Sequence, residues 1–447
     1  MKKTHLFLVN ILLLLVSVPS VAQTVNKAIL IKNANIFNGR DNKIVKGNVL
    51  IENNLIVKID SAPIIFNAKD SVLVIDANGK YLIPGLIDAH VHLMLESTPL
   101  PQLLTSDIGF LNLSASKSAE RQLLRGFTSV RDMGGNTFSL AHAIDEGLII
   151  GPRVFPSGAA ISQTGGHGDF DMPNDVPRYG NTSYLSKTGM SAIADGPDQV
   201  LLRTREQLRM GATQIKLCAG GGIISMYDPI DVSQYTDSEL KAAVDAANNW
   251  GTYVTVHAYL SSSVRKAVSA GVMCIEHGQL IDESTAKMMA DKGVWWSLQP
   301  FLDDQDATPY PKGSSNWQKQ MDVIKGTDNA YKLAKKYHIK VAFGTDCLFD
   351  PVAAKRQNVV LCKLINWYTP FEVLKMVTSQ NADLLSMCNK RNPYQEGRLG
   401  EISVGAYADM ILVDGNPLEN IKLIENPEQN FKIIMKNGVI YKNTLNK

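Results

Sequence analysis

The stretch that decides the fold is Leu82-Ile83-Pro84-Gly85-Leu86-Ile87-Asp88-Ala89-His90-Val91-His92. It is an apolar run that ends in two histidines, as expected of a strand that is buried on both faces and carries functional groups at its C-terminal end. Residues i and i+2 of a strand point to the same side, so His90 and His92 can bind one cation together. Two hydrogen-bonded core histidines would give the same pattern, and the remaining sequence has to decide between these interpretations.

Other strand-like segments end in the same way, with one polar side chain after an apolar run. These side chains are Lys216 in Gln-Ile-Lys-Leu-Cys, His257 in Val-Thr-Val-His-Ala-Tyr, His277 in Cys-Ile-Glu-His-Gly and Asp346 in Phe-Gly-Thr-Asp. The C-terminal ends of parallel strands meet at one face of a barrel, so we expect these side chains to converge. Neutral imidazoles, a carboxylate and a lysine are together suited to holding a pair of metal ions.

Two of these residues also have ordinary interpretations. Between Ile215 and Leu217, Lys216 would normally be an expensive buried cation, or a side chain whose amine reaches towards water. Asp346 follows Gly-Thr and could serve as a helix N-cap. The repeated placement of polar residues at strand ends favours a functional role for both.

The order of these motifs resembles the amidohydrolase superfamily, specifically its binuclear members with a carboxylated lysine bridge. The resemblance covers nearly the whole mature chain and includes the segment from Arg398 to Leu418. It implies that Lys216 adds carbon dioxide to become an anionic carbamate between two divalent metal ions, for which we expect zinc. It also implies that Asp346 accepts the proton of the attacking water and returns it to the leaving amine. The metal ligands that the resemblance implies are His90, His92, Lys216, His257, His277 and Asp346.

Three further segments resemble a narrower group of this superfamily, namely the Xaa-Pro dipeptidases (prolidases), Xaa-Arg/Lys carboxypeptidases and ochratoxin-type amidases. The segments are Gly165 to Asp169, Gly220 to Pro229, and Tyr259 two residues past His257. The resemblance implies that His167 and Tyr259 contact the carbonyl or the C-terminal carboxylate of the substrate. Packing at the barrel rim for Tyr259, and a surface position for His167, remain open as alternatives.

The pair Met226-Tyr227 departs from the Ser-Pro-type sequence expected in close relatives. We expect Tyr227 to contribute to substrate binding, and the pair favours an apolar contact. The side-chain specificity therefore stays open, while the expected metal ligands are unaffected.

The middle of the chain alternates strand-like and helical patterns, which indicates an α/β fold with a parallel sheet. Candidate helices span 238–250, 262–270, 284–292 and 370–385. An insert at about 165–196 is too long for an ordinary connection and is expected to form an active-site loop, with surface disorder as the alternative. The eight candidate strands begin near Leu82, Thr128, Arg153, Gln214, Tyr253, Cys274, Val294 and Val341.

Eight such units predict a (β/α)8 TIM-like barrel. Short apolar bursts between turns at both chain ends predict a small β-sandwich satellite built from the two ends. The expected divisions are a signal peptide at 1–22, the first part of the sandwich at 23–80, the metal-dependent hydrolase barrel at 81–398 and the second part of the sandwich at 399–447.

The N-terminus has the pattern of an export signal: Lys2 and Lys3, an apolar run over 6–18, and Ser20-Val21-Ala22 before Gln23. Its removal takes two lysines from 45 basic side chains and leaves 43 against 43 acidic ones. This balance argues against a nucleic-acid partner, and no stable membrane anchor is expected after cleavage. The five cysteines are expected to be buried small hydrophobes, with a disulfide between Cys362 and Cys388 left open.

The sequence thus predicts an exported, periplasmic or secreted hydrolase that cleaves the amide bond before a C-terminal amino acid in dipeptides or N-acyl amino acids. We expect a small-molecule substrate and a homo-oligomer. A lactonase, an imidazolone-type hydrolase or a phosphotriesterase could use the same metal site. A non-catalytic binding protein on this scaffold is the alternative from another class, but it would not need both a bridging lysine and a catalytic aspartate.

Overall fold

The computed structural model describes residues 28–65, 71–172, 182–225 and 227–445. The predicted signal peptide and Met226 lie outside the described residues. The strands are β1 (Ala28–Phe37), β2 (Ile44–Glu52), β3 (Leu55–Asp60), β4 (Val72–Asp76), β5 (Tyr81–Pro84), β6 (Leu86–Val91), β7 (Phe127–Asp132), β8 (Arg153–Pro156), β9 (Ala160–Ser162), β10 (Ser191–Ile193), β11 (Ile215–Cys218), β12 (Val254–Leu260), β13 (Cys274–Leu280), β14 (Trp295–Leu298), β15 (Val341–Phe343), β16 (Met410–Val413), β17 (Phe431–Lys436) and β18 (Val439–Asn443).

The helices lie mainly between the strands of the central region. They are α1 (Leu100–Thr105), α2 (Ile108–Leu124), α3 (Phe138–Asp145), α4 (Tyr184–Lys187), α5 (Pro197–Met210), α6 (Asp237–Asn249), α7 (Ser261–Ala270), α8 (Glu283–Asp291), α9 (Ser315–Lys336), α10 (Gln357–Cys362), α11 (Pro370–Lys375), α12 (Asn381–Leu385) and α13 (Pro427–Asn430).

The predicted helices are confirmed, three of them to within one residue at each end. Helix α6 begins at a capping box, in which Thr236 and Glu239 satisfy each other's backbone N–H groups. The segment predicted as one helix over 370–385 is divided, because a π-helical turn at Met376–Gln380 separates α11 from α12. The spacing of apolar residues did not reveal the division, because most residues over 373–385 are buried and no single face marks the change.

The central region is a parallel barrel, as the sequence predicts. One sheet has the order β6-β7-β8, and a second has the order β10-β9-β11-β12-β13-β14-β15. Strand β9 follows β8 after a short break and pairs with β11, so the two together supply the third position of the barrel. The eight positions are therefore filled in chain order, and all strand pairs of these two sheets are parallel.

The last strand lies against the first. Asn381 donates from Nδ2 to the carbonyl oxygens of Ile87 and Phe343, at 2.8 and 2.9 Å, and so ties β6 to β15. At Gly344 a Cβ atom would lie 2.3 Å from the Cβ of His90 and 2.8 Å from its backbone nitrogen. Only glycine permits this approach, which sets the backbone of the segment before Asp346 beside the first metal-ligand candidate.

The first barrel strand begins at Leu86, so the predicted start near Leu82 is wrong by four residues. Tyr81–Pro84 forms a separate strand, β5, which pairs with β1 and β16. The chain passes from the satellite sheet to the barrel at Gly85. The apolar run continues across this point because both strands are buried, and composition alone could not show the division.

The two chain ends build one satellite domain. Strands β1 to β5 and β16 to β18 are linked by hydrogen bonds into one sheet of order β18-β17-β16-β5-β1-β2-β3, with β4 paired to β1. Their apolar side chains share a core that includes Ile31, Ile51, Leu82, Met410 and Ile433. The satellite is thus a sheet separate from the barrel, with mixed strand directions.

All five cysteines are free in the structure, and Cys347 is partly exposed while the other four are buried. The disulfide between Cys362 and Cys388 that the sequence left open is therefore absent. Among the residues that the structure describes, no helix is both long enough and apolar enough to cross a membrane.

Candidate active site

Three strand-end residues predicted to converge form a compact group at one end of the barrel. His90, His277 and Asp346 each offer a ligand atom, and these atoms lie within 4.8 Å of one another. The Asp346 backbone N–H also donates to the His90 carbonyl, at 2.9 Å. The group therefore combines the end of β6 with β13, which continues to Leu280 beyond His277, and with the loop that follows β15.

His92 joins the same group. Its Nε2 lies 3.2 Å from Nε2 of His90, and both nitrogens approach Oδ1 of Asp346, at 3.3 and 3.2 Å respectively. Its Nδ1 lies 3.2 Å from the carbonyl oxygen of Gly134, which can accept a hydrogen bond from that nitrogen. His90 and His92 thus present the same kind of nitrogen to one point, as their i, i+2 spacing predicts.

His257 completes the set of imidazoles. Its ring centroid lies 4.6 Å from that of His277, and its Nε2 lies 3.1 Å from the carbonyl oxygen of Gly221. Burial lowers the pKa of His92, His257 and His277, the last of them to about 3. Neutral imidazoles are the form that binds metal ions.

The Lys216 side chain points into the same cavity. The residue is 4% exposed, and its amine makes no hydrogen bond or ion pair with any other described residue. Burial lowers its pKa, which favours the neutral amine. An amine without a proton can react with carbon dioxide, so this environment fits the carbamate that the family resemblance implies.

A buried hydrogen-bond network, which the sequence analysis did not predict, orients the His90 ring through its Nδ1. Glu276 accepts from Nδ1 of His90 at 2.8 Å and from Nη2 of Arg131 at 2.7 Å, and all three side chains are almost fully buried. A proton on Nδ1 leaves the Nε2 lone pair for a cation. Glu276 directly precedes His277 in the sequence, and an acidic residue next to a metal-ligand candidate was the signal that could have revealed this network.

The backbone at His277 explains how two adjacent residues can both reach the site. In a regular strand Glu276 and His277 would point to opposite sides. His277 has φ of 75°, in the left-handed region, and Asp346 has φ of 52°. Such values are uncommon outside glycine and recur at functional sites. His277 is further oriented by Gln299, whose Oε1 lies 2.8 Å from its Nδ1.

His167 and Tyr259, which the sequence analysis predicts to contact the substrate, line the cavity above this group. The His167 ring stacks on His257 with centroids 3.8 Å apart and planes 12° apart. The Tyr259 ring stacks on His277 at 5.1 Å. Both therefore lie directly beside metal-ligand candidates. Tyr227 is 42% exposed and is not among the described residues that line the cavity.

The loop after β14 forms another wall of the cavity, which the sequence did not reveal. Phe301 and Tyr310 line it, and the Phe301 ring lies 6.5 Å from that of His277. Burial raises the pKa of Tyr310 to about 12, and the charge of Asp346 adds to the shift. Asp306 anchors this loop through ion pairs with Arg356 and with Lys363, the latter at 2.8 Å.

The insert predicted to form an active-site loop contributes a third wall. Gly168, Phe170, Met190 and Ser191 line the cavity. The remaining lining is mainly apolar, with Ile223, Ile224, Leu348 and Phe349 among its members. Polar groups are thus concentrated on the barrel floor, and apolar side chains form much of the surrounding wall, as is common in small-molecule sites.

Comparison with known proteins agrees with this geometry. The model of the amidohydrolase family matches residues 81–442. The ochratoxinase of Aspergillus niger is 31% identical over 382 residues, which cover 81% of this chain and 75% of that relative.

Two solved structures are similar to this chain over almost all of its length. A prolidase complexed with N-methylphosphonate-L-proline has a TM-score of 0.84 and 32% identity, covering 93% of this chain and 100% of its own. A Xaa-Pro dipeptidase with bound methionine has a TM-score of 0.79 and 26% identity, covering 93% and 100%. The chain belongs to the amidohydrolase family, and it is a hydrolase that acts on amide or peptide bonds.

Proposed function

We propose that this enzyme cleaves the amide bond before the C-terminal amino acid of dipeptides or N-acyl amino acids, with two divalent metal ions, zinc in our expectation. The observation that carries the proposal is the position of His167 and Tyr259. Both line the cavity and stack on His257 and His277, two of the metal-ligand candidates. A substrate polar group held by them would lie directly beside the metal group.

The residues at the site suit such metal ions. His90, His277 and Asp346 have ligand atoms within 4.8 Å of one another, and His92 lies 3.2 Å from His90. The buried amine of Lys216 has no partner in the described part of the chain, and as a carbamate it would supply anionic oxygens between two ions. His257 would complete the set. Nitrogen and oxygen donors of this kind are typical zinc ligands.

When bound, the metal ions would lower the pKa of a water molecule and polarise the scissile carbonyl. The chain itself would hold and move the proton. Asp346 is the proposed proton carrier: although burial opposes ionisation, the adjoining His90, His92 and His277 hold its pKa well below the usual range. As a carboxylate it can accept a proton at the reacting centre and pass it to the leaving amine.

The remaining roles concern orientation of the substrate. We assign His167 and Tyr259 to the carbonyl or the C-terminal carboxylate, and the apolar wall to the side chains on both sides of the amide. The bound ligands of two relatives, N-methylphosphonate-L-proline and methionine, each carry an amino-acid carboxylate and support this choice. Tyr227, in the glycine-rich loop, remains a proposed substrate-binding residue that would supply an apolar contact.

We further propose that the enzyme is exported to the periplasm or beyond and acts as a homo-oligomer. The N-terminal pattern of Lys2, Lys3 and an apolar run over 6–18 supports export. Lactonase, imidazolone-type hydrolase and phosphotriesterase activities remain the alternatives on the same metal site.

A substrate comparison tests the proposal directly. Zinc-loaded enzyme is assayed with Xaa-Pro and other dipeptides, with N-acyl amino acids, and with the C-terminal amide of each. We expect the free acids to be cleaved and the amides to be poor substrates, because polar groups built for the carboxylate would lose their partner. Equal cleavage of acids and amides, or reaction with lactones and phosphotriesters alone, would contradict the proposal.

A further inference from the structure

The glycine-rich segment, residues 220–225 together with 227 and 228, lies between β11 and α6 and is fixed to helix α9. Lys319 donates from Nζ to the carbonyl oxygens of Ser225 and Asp228, at 3.3 and 2.6 Å. Asn316 donates to the carbonyl of Ile223 at 2.5 Å. These bonds hold the backbone of the segment over the cavity.

His167 is inserted between this segment and the barrel floor. Its ring stacks on His257, and its Nδ1 lies 2.9 Å from Oγ of Ser225. A Cβ atom on Gly222 would lie 1.9 Å from that Nδ1. Glycine at 222 is therefore what admits the ring, and the serine hydroxyl, which also donates to the Gly222 carbonyl at 3.3 Å, contacts one nitrogen of the ring.

A buried carboxylate supports the same slot. Asp228 is 2% exposed, and its Oδ2 accepts from the Gly222 N–H at 2.9 Å and from Gln234 Nε2 at 3.1 Å. Gln234 in turn accepts from the His167 N–H at 3.1 Å. Asp228 and Gln234 therefore join the backbones on both sides of the imidazole, with Oδ2 of Asp228 itself 3.9 Å from Nδ1.

The two ring nitrogens of His167 thus have different surroundings. Nδ1 is engaged by Ser225, whereas Nε2 makes no hydrogen bond to any described residue and belongs to a ring that lines the cavity. A histidine that only filled space would not need one nitrogen fixed and the other directed to an open site. The arrangement is that of a ring oriented for a ligand.

We propose that Ser225 is a positioning residue, which acts through His167 to direct the Nε2 edge of that ring at the substrate, with Asp228 stabilising the slot. The inference rests on the proposed function of His167 in substrate contact. Ser225 itself touches no substrate in this scheme. Its effect should therefore depend entirely on the presence of the imidazole.

A double-mutant cycle measures this dependence. Ser225→Ala is compared in the wild-type and His167→Ala backgrounds by kcat and KM. We expect Ser225→Ala to lower kcat/KM about 10-fold with His167 present, the size of one lost hydrogen bond, and by less than about 2-fold without it. An equal loss in both backgrounds would show that Ser225 supports only the loop, and the proposal would be overturned.

Lys319→Met provides the matched control. It removes two bonds to the backbone of the same segment but no contact with the His167 ring. We expect its effect on kcat/KM to be similar in both backgrounds, because Ile223 and Ile224 also shape the cavity. Thermal unfolding of each variant checks that the fold is retained. If Ser225→Ala fails to fold, Asp228→Asn replaces it in the double-mutant cycle.

The cycle is run on the best amide substrate of the enzyme, whether or not that substrate has a free carboxylate. If the enzyme does not require a free carboxylate on its substrate, the proposed substrate class is overturned, but the double-mutant cycle can still be measured. Additivity of Ser225→Ala and His167→Ala would overturn the positioning role even if the substrate class is right.

Discussion

The floor and the wall of the cavity are built in different ways. The floor consists of strand-end residues such as His90, His277 and Lys216, each 4% exposed or less, with the Glu276–Arg131 pair behind them. The wall consists of loop residues such as His167 and Tyr310, whose positions depend on bonds between distant segments. Strand register therefore sets the positions of the metal-ligand candidates, and loop packing sets the shape of the cavity around them.

The largest effect should come from removing the lysine of the floor. Lys216→Ala is expected to lose most bound metal and nearly all activity, because the residue would supply a ligand to both ions. Metal content per chain and turnover are the measurements, and short carboxylates or bicarbonate should restore some activity. Lys436→Ala is the control, since Lys436 is a buried lysine that donates to Gly151 O at 2.7 Å, outside the cavity. Two ions per chain with normal turnover in Lys216→Ala would refute the bridge.

Asp346→Asn separates proton transfer from binding within the floor. The amide keeps the shape of the carboxylate but accepts protons poorly, so turnover should fall by about 10²–10⁴-fold, the range for lost general acid–base catalysis. Most of the metal should remain, because the histidines are unchanged. Steady-state kinetics together with metal analysis test this expectation. Unchanged turnover at full metal occupancy would assign the proton transfer to another group.

Glu276→Gln tests whether the buried network supports the floor. Loss of the carboxylate weakens the hold on Nδ1 of His90, and metal affinity should fall by about 10–100-fold, as measured by competition with a chelator. Asp409→Asn is the control: Asp409 pairs with buried Arg153 at 2.9 Å, where the satellite meets the barrel.

Both variants leave a buried arginine without its carboxylate partner, which costs about 3–5 kcal/mol of unfolding free energy. Only Glu276→Gln should also lose metal affinity. Equal metal affinity in the two variants would show that the pair behind His90 is purely structural.

The smallest expected effect concerns Tyr259, a residue of strand β12 that lines the cavity above the floor. Tyr259→Phe removes one hydroxyl and should lower kcat/KM for substrates with a free carboxylate about 10-fold, with little effect on their C-terminal amides. Tyr331→Phe is the control, because that buried tyrosine stacks on Trp367 away from the cavity and its hydroxyl has no partner among the described residues. An equal loss for acids and amides would place Tyr259 in a packing role.

The sequence made the barrel and the positions of its strand-end residues predictable for one physical reason. A strand buried on both faces must be apolar, so His90, Lys216 and His277 stand out against their neighbours. Parallel strands then bring their C-terminal ends together whatever the loops do. The barrel and the convergence of His90, His277 and Asp346 followed from this pattern, and the amidohydrolase family followed from the resemblance of the motifs. The identity of the metal remains a prediction.

Only the tertiary structure decided what surrounds those residues. Three features show this. Glu276 can pair with His90 because the backbone at His277 is left-handed, and the chain changes from one sheet to another at Gly85. The path of the loops brings Ser225 into contact with His167. Such features arise from long-range packing and leave no periodic signal in the chain. Sequence alone therefore determined which polar side chains meet on the floor, and the folded chain determined the shape and orientation of the wall.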